Sequence, residues 1–145
     1  MTTRILIVDD FQPFRNTLRS ILERDSSLRV IGEACDGMEA IEKAATLRPD
    51  VLLLDIGMPR LNGIEAAKAI RQKMSPESAI IFVTQEDDCD IRNSALGLGA
   101  AAYLLKSTVG SELLLAIGRA MLHRQSQPHQ PEFPLPEPAI LLQGL

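Results

Sequence analysis

RILIVDDFQPF, residues 4 to 14, is an apolar run that stops at two adjacent acids. Ile5 to Val8 is continuous and rich in β-branched residues, as suits a strand covered on both faces in a parallel sheet. Asp9 and Asp10 follow at once, and neighbouring carboxylates repel each other. Pro13 then suits a first helical turn, and Phe14, Leu18, Ile21 and Leu22 recur at helical spacing. The stretch reads as strand, acids, helix: one βα unit with carboxylates at the strand's carboxyl end.

The same alternation continues outward. Leu28, Val30, Gly32 and Ala34 alternate with Arg29, Ile31 and Glu33, which predicts a strand buried more on one face. Val51 to Leu54, Ala79 to Val83 and Ala101 to Leu105 are further apolar runs. Between them lie helical stripes. Met38, Ile41, Ala44 and Ala45 form one that Pro49 ends, and Ile64, Ala67 and Ile70 form one opened by Asn62-Gly63. Ile91, Ala95 and Leu98 make a weaker stripe closed by Gly97 and Gly99. Leu113, Leu114, Ile117 and Met121 make the last. The pattern predicts a flavodoxin-like (βα)5 three-layer sandwich, with a parallel sheet in the order 2-1-3-4-5. Ligands in such sheets bind at the carboxyl ends of the strands where the order reverses, here between the first and third strands.

Bulk properties exclude several classes. The 145 residues suit one domain, and 46% hydrophobic with 23% charged residues is ordinary for a globular protein. A net charge of -4 leaves no basic footprint, so no direct nucleic-acid binding is expected. Cys35 and Cys89 are far apart, which disfavours a disulfide framework or zinc site and predicts two reduced, partly buried thiols. The N-terminus has too short an apolar run for a signal peptide, and no stretch reaches the roughly 20 apolar residues of a membrane span. A cytoplasmic location with no membrane contact is expected. Composition changes near residue 124. The globular part is expected over 1–124, and 125–145 as a proline-rich C-terminal tail or linker. The tail is more apolar than a solvated linker requires. It is expected to pack on a helix, either of its own chain or of a second copy, the latter giving a homodimer.

Asp55 ends the third run as Asp9 and Asp10 end the first, so three carboxylates converge on one crevice. A hard divalent cation such as Mg2+ would relieve their repulsion. Thr84 ends the fourth run and Lys106 the fifth, adding a hydroxyl and an ammonium. Taken singly, each has an ordinary explanation: a helix cap, a β-former, a solvated lysine. Together, at four strand ends, they form a constellation suited to phosphoryl transfer, with Asp55 as a carboxylate nucleophile.

The segments VDD, DIGMPRLNG, VTQ and YLLKS resemble the receiver domain of two-component response regulators, over about Arg4 to Arg124. The resemblance implies that Asp55 accepts phosphate from a sensor histidine kinase or a small phosphodonor. It implies Mg2+ held by Asp10, Asp55 and the Gly57 backbone carbonyl, with Asp9 assisting through a metal-bound water. Lys106 would contact the phosphoryl group, Thr84 would move to hydrogen-bond it, and Tyr103 would swing inward as Thr84 departs, reshaping a helix surface that controls a partner or output domain. The chain would then be no enzyme beyond its own aspartyl phosphorylation and dephosphorylation. YLLKS and DGMEAIEKA look most like the NarL/FixJ (LuxR-type) group of transcription regulators. Those usually continue into a helix-turn-helix domain, for which the residues after Arg124 are too few and too proline-rich.

Two departures stand out. Ser107 occupies a position where many receivers have proline. Gln85 follows Thr84 where a small residue is usual, which is expected to crowd the pocket. An aspartate-nucleophile phosphatase of the haloacid dehalogenase type needs a second acid at Gly57, and a flavin or nucleotide binder needs a phosphate loop that FQPFRNT is not. The rival is a receiver-like interaction module that is never phosphorylated.

Overall fold

The computed structural model describes residues 2–73, 78–85 and 87–126, with residues 125 and 126 in backbone only. The expected packing of the tail beyond residue 126 lies outside the described residues. Among the described residues five strands alternate with five helices: β1 (Thr3–Val8), α1 (Gln12–Leu22), β2 (Leu28–Ala34), α2 (Gly37–Leu47), β3 (Val51–Leu54), α3 (Gly63–Lys73), β4 (Ala79–Thr84), α4 (Cys89–Gly97), β5 (Ala102–Leu105) and α5 (Val109–Ser126). A 3-10 turn, Lys106–Thr108, joins β5 to α5. The sheet is parallel, in the order β2-β1-β3-β4-β5, as the sequence predicts.

The period-2 geometry of the strands divides the core into two layers. Leu6, Val8, Leu52, Leu54, Ile80 and Phe82 pack with residues of α2, α3 and α4. Ile5, Ile7, Val51, Leu53, Ile81 and Val83 face α1 and α5. Fully burying each such side chain is worth about 1.5–3 kcal/mol. The runs are continuous because both faces of the central strands are covered.

β2 departs from the expected one-face alternation. Its register with β1 jumps between Ile5↔Val30 and Leu6↔Gly32, which leaves Ile31 unpaired. This bulge switches faces. Leu28 and Val30 pack with the α1/α5 layer, while Ala34 belongs to the other. Glu33 consequently meets α1, where Arg15 Nε lies 2.7 Å from Oε1 and Arg19 reaches Oε2. Burial raises the Glu33 pKa, but the two guanidinium groups outweigh it and the net shift is downward.

Two other expectations need correction. Met38, placed in the apolar stripe of α2, is half exposed, and the buried positions are Gly37, Ala40 and Ala44. Close approach explains this: a Cβ on Gly37 would lie 2.3 Å from the Leu61 carbonyl oxygen, so that turn sits against the β3–α3 loop on its small residues. Cys35 and Cys89 are free but exposed, not partly buried.

Candidate functional site

The register carries the polar residues to one edge. Val8 pairs with Leu54, and the Asp55 N–H donates to the Val8 carbonyl at 2.9 Å, so the acids that follow β1 and β3 are neighbours. Thr84 pairs with Leu105 across β4 and β5, which puts Lys106 on the same rim. Asp10, Asp55, Gly57, Thr84, Gln85 and Lys106 line one cavity of about 360 Å3, together with Phe11.

The carboxylates differ in their surroundings. Asp9 is almost fully buried, and its Oδ1 accepts the Phe11 N–H at 2.8 Å. This bond shapes the start of α1, whose N-cap residue Phe11 has no capping side chain. Asp9 Oδ2 lies 2.7 Å from Lys106 Nζ as an ion pair, but the angles do not make a hydrogen bond. Asp55 is also buried, 3.5 Å from the same Nζ. Burial raises the Asp55 pKa, helped by the nearby charge of Asp9 and, less, Asp10. Lys106 and the Gly57 N–H oppose the rise. Asp10 is exposed.

The set fits a hard cation. One carboxylate oxygen from each of Asp9, Asp10 and Asp55 lies within 4.8 Å of the others, and one buried oxygen lacks a hydrogen bond. All-oxygen donors suit Mg2+. The Gly57 backbone is at the cavity.

Thr84 is buried at the end of β4. Tyr103 packs part-buried against the α2/α3/α4 layer, with the Arg92 guanidinium 5.2 Å from its ring centre. Gln85 is exposed at the cavity rim.

Sequence reasoning missed two supports. Phe14, read as a core residue of the first helix, also places its ring 4.5 Å from Lys106 Nζ, a cation–π contact. Nothing in the spacing of Phe14 and Lys106 announces it. Gly63 lets α3 approach the site, because a Cβ there would lie 2.1 Å from the Asp55 carbonyl oxygen. Its N–H donates to the Ile56 carbonyl at 2.8 Å, and Asn62 and Glu65 exchange capping hydrogen bonds beside it. The Asn62-Gly63 pair was the available signal.

Residues 5–118 match the family model described as the response regulator receiver domain. A protein-glutamate methylesterase/protein-glutamine glutaminase of Thermotoga maritima is 39% identical over 127 residues, covering 81% of this chain and 37% of that protein. The transcriptional regulatory protein LiaR of Bacillus subtilis is 38% identical over 117 residues, covering 81% of this chain and 55% of that one. A crystal structure of a LuxR-family two-component response regulator from Aurantimonas superposes with a TM-score of 0.80 at 32% identity, over 86% of this chain and 88% of the other. The chain thus spans between 28% and 55% of the curated relatives' length.

These relatives correct one expectation. No enzyme is expected from the sequence, yet several proteins 39–44% identical to this chain over 108–127 residues are enzymes by name, the methylesterase/glutaminases. The match covers 28–37% of the length of those proteins. The same relatives narrow another reading. Transcription regulation is supported by the LiaR and DegU relatives, while the methylesterases point to a different output. Among the described residues, no helix is long and apolar enough to cross a membrane.

Proposed function

Because the chain belongs to the response regulator receiver family, we propose that Asp55 is its phosphoacceptor and that phosphorylation switches the surface around β5 to control an output. The observation that carries this reading is the cluster of three carboxylates with Lys106 beside two of them. The ionised Asp55 oxygen attacks the donor phosphorus. A P–O bond forms, the bond from phosphorus to the histidine imidazole of a sensor kinase breaks, and the nitrogen keeps the electron pair and takes a proton. Asp9, Asp10, Asp55 and the Gly57 carbonyl would hold Mg2+, which offsets their charge and that of the phosphoryl oxygens. Lys106 leaves its contact with Asp9 for the phosphoryl group. Thr84 supplies a hydroxyl to the same group, and Tyr103 follows Thr84 inward. The receiver unit runs over 1–124, with 125–145 as tail or linker. Partners are a sensor histidine kinase and, in a homodimer, a second copy.

Gln85 at the cavity rim favours a second reading, an interaction module that is never phosphorylated. Intact mass after incubation with acetyl phosphate separates the two. A gain of one phosphoryl group that EDTA abolishes supports the first reading. No gain under any condition supports the second.

A further inference from the structure

A second cavity, of about 670 Å3, lies at the opposite, amino-terminal edge of the sheet. The end of α3, the start of β4, the loop at Gly99–Ala101 and the last turns of α5 enclose it. It shares no residue with the acid site.

The charged residues among its described lining are of one sign. Arg71, Arg119 and Arg124 face it with His123, and no acid is among the described lining residues. Arg71 is the most telling. Its Nη1 donates to the Ser78 carbonyl at 2.8 Å and its Nη2 lies 3.4 Å from the Gly99 carbonyl. These are neutral partners. Burial pushes its pKa down, and no carboxylate among the described residues offsets that effect. Arg119 makes no ion pair or hydrogen bond among the described residues. Arg124 is partly engaged, its Nη1 3.1 Å from the Asp50 carbonyl and 3.7 Å from the Asp50 carboxylate. Arg71 is part-buried and Arg119 and Arg124 are exposed, so an anion entering the cavity would meet three guanidinium groups.

The remaining wall is small and apolar: Ala79, Ala100, Ala101 and Ala120. Small side chains create the space, and they offer nothing polar to a ligand's far end. We propose that this cavity binds a phosphate-bearing small molecule of nucleotide size. The arginine forks suit phosphate oxygens bidentately, and their planes also stack on a flat ring. The volume falls in the range of roughly 300–1,000 Å3 typical of small-ligand pockets. Inorganic phosphate alone would engage the arginines and leave the alanine wall empty. A nucleic-acid polymer is disfavoured by the net charge of -4.

The test is titration calorimetry on the full chain with ADP, adenosine and inorganic phosphate, in EDTA so that no metal bridges a nucleotide to the acid site. The proposal expects ADP to bind, phosphate to bind more weakly and adenosine not to bind measurably. Arg119→Gln, an exposed position, should weaken ADP by about tenfold, and Arg71→Gln by at least as much. Arg71→Lys, which keeps the charge but loses the fork, should fall between wild type and Arg71→Gln. No ADP binding at millimolar concentration overturns the proposal, as does unchanged affinity in Arg119→Gln. Phosphate binding as tightly as ADP overturns the size class. Binding that appears only when Glu132 and Glu137 are both replaced by glutamine assigns the cavity to the chain's own acidic segment and also overturns it.

Discussion

Lys106 Nζ lies 2.7 Å from Asp9 Oδ2 but 3.5 Å from Asp55 Oδ2. The ammonium thus leans toward the acid that does not react in the proposed chemistry. Asp55 faces the cavity with its nearest cation standing off, which leaves room for an incoming phosphorus. On transfer, the new charge on Asp55 would draw the lysine across.

The ring of Phe14 also contacts that lysine, 4.5 Å from its Nζ. A cation–π contact at a part-exposed site is worth about 0.5–1 kcal/mol. Phe14→Leu is therefore expected to slow phosphorylation by about two- to fivefold. Lys106→Ala should slow it further. With Lys106 already removed, Phe14→Leu should add nothing to the loss, because its effect runs through the ammonium. Rates with a small phosphodonor, by intact mass, give the comparison.

Gly63 brings the start of α3 against the acceptor. An added Cβ would meet the Asp55 carbonyl oxygen at 2.1 Å, and backbone cannot rotate away as a side-chain tip can. Gly63→Ala is expected to destabilise the protein by about 1–3 kcal/mol and to displace the Asp55 peptide. Thermal unfolding should show a lower melting temperature, and labelling should slow in the fraction that remains folded.

Glu39 gives a pH dependence remote from the acids. It accepts the Cys35 N–H at 2.8 Å and pairs with Lys43 four residues on, at 2.8 Å. Lys43, then the Cys35 N–H, lower its pKa from 4.5 to about 2. A carboxylate depressed on folding contributes stability above its unfolded value and loses it as pH falls through the folded one. The contribution should be complete above about pH 5 and vanish toward pH 2. A third of the side chain is exposed, so solvent screening limits it to about 0.5 kcal/mol. Glu39→Gln should be less stable than wild type at pH 7, with the gap closing as the solution is acidified.

Gln85 lines the same cavity as Asp55 and Lys106. Its side chain is expected to obstruct the approach of a donor, so Gln85→Ala should be phosphorylated faster by both a small donor and a kinase. An unchanged or slower rate would show that the glutamine lies clear of the reaction path.

The central strands were legible in the sequence because burial on both faces writes a continuous apolar run, and those runs also fixed where the acids fall. β2 was legible as a strand, but its bulge at Ile31 was not. An alternating pattern carries no sign of the one residue that drops out of pairing, so Gly32 and Ala34 were assigned the face of Leu28 and Val30. Met38 was misplaced because helical spacing cannot distinguish a stripe that meets the sheet from one a neighbouring loop holds off through Gly37. At the site, the strand-end residues Asp9, Asp10, Asp55, Thr84 and Lys106 were found from position and charge. The contact of Phe14 with Lys106 is long-range and appears only once α1 is docked.

The central claim is that Asp55, of the three clustered acids, takes the phosphoryl group. Reducing a labelled sample with borohydride converts an acyl phosphate to homoserine, and peptide mass then locates the converted residue. The account expects homoserine at position 55 alone, appearing only with Mg2+ and phosphodonor and absent from Asp55→Asn. Conversion at Asp9 or Asp10, or an undiminished yield in Asp55→Asn, would contradict it.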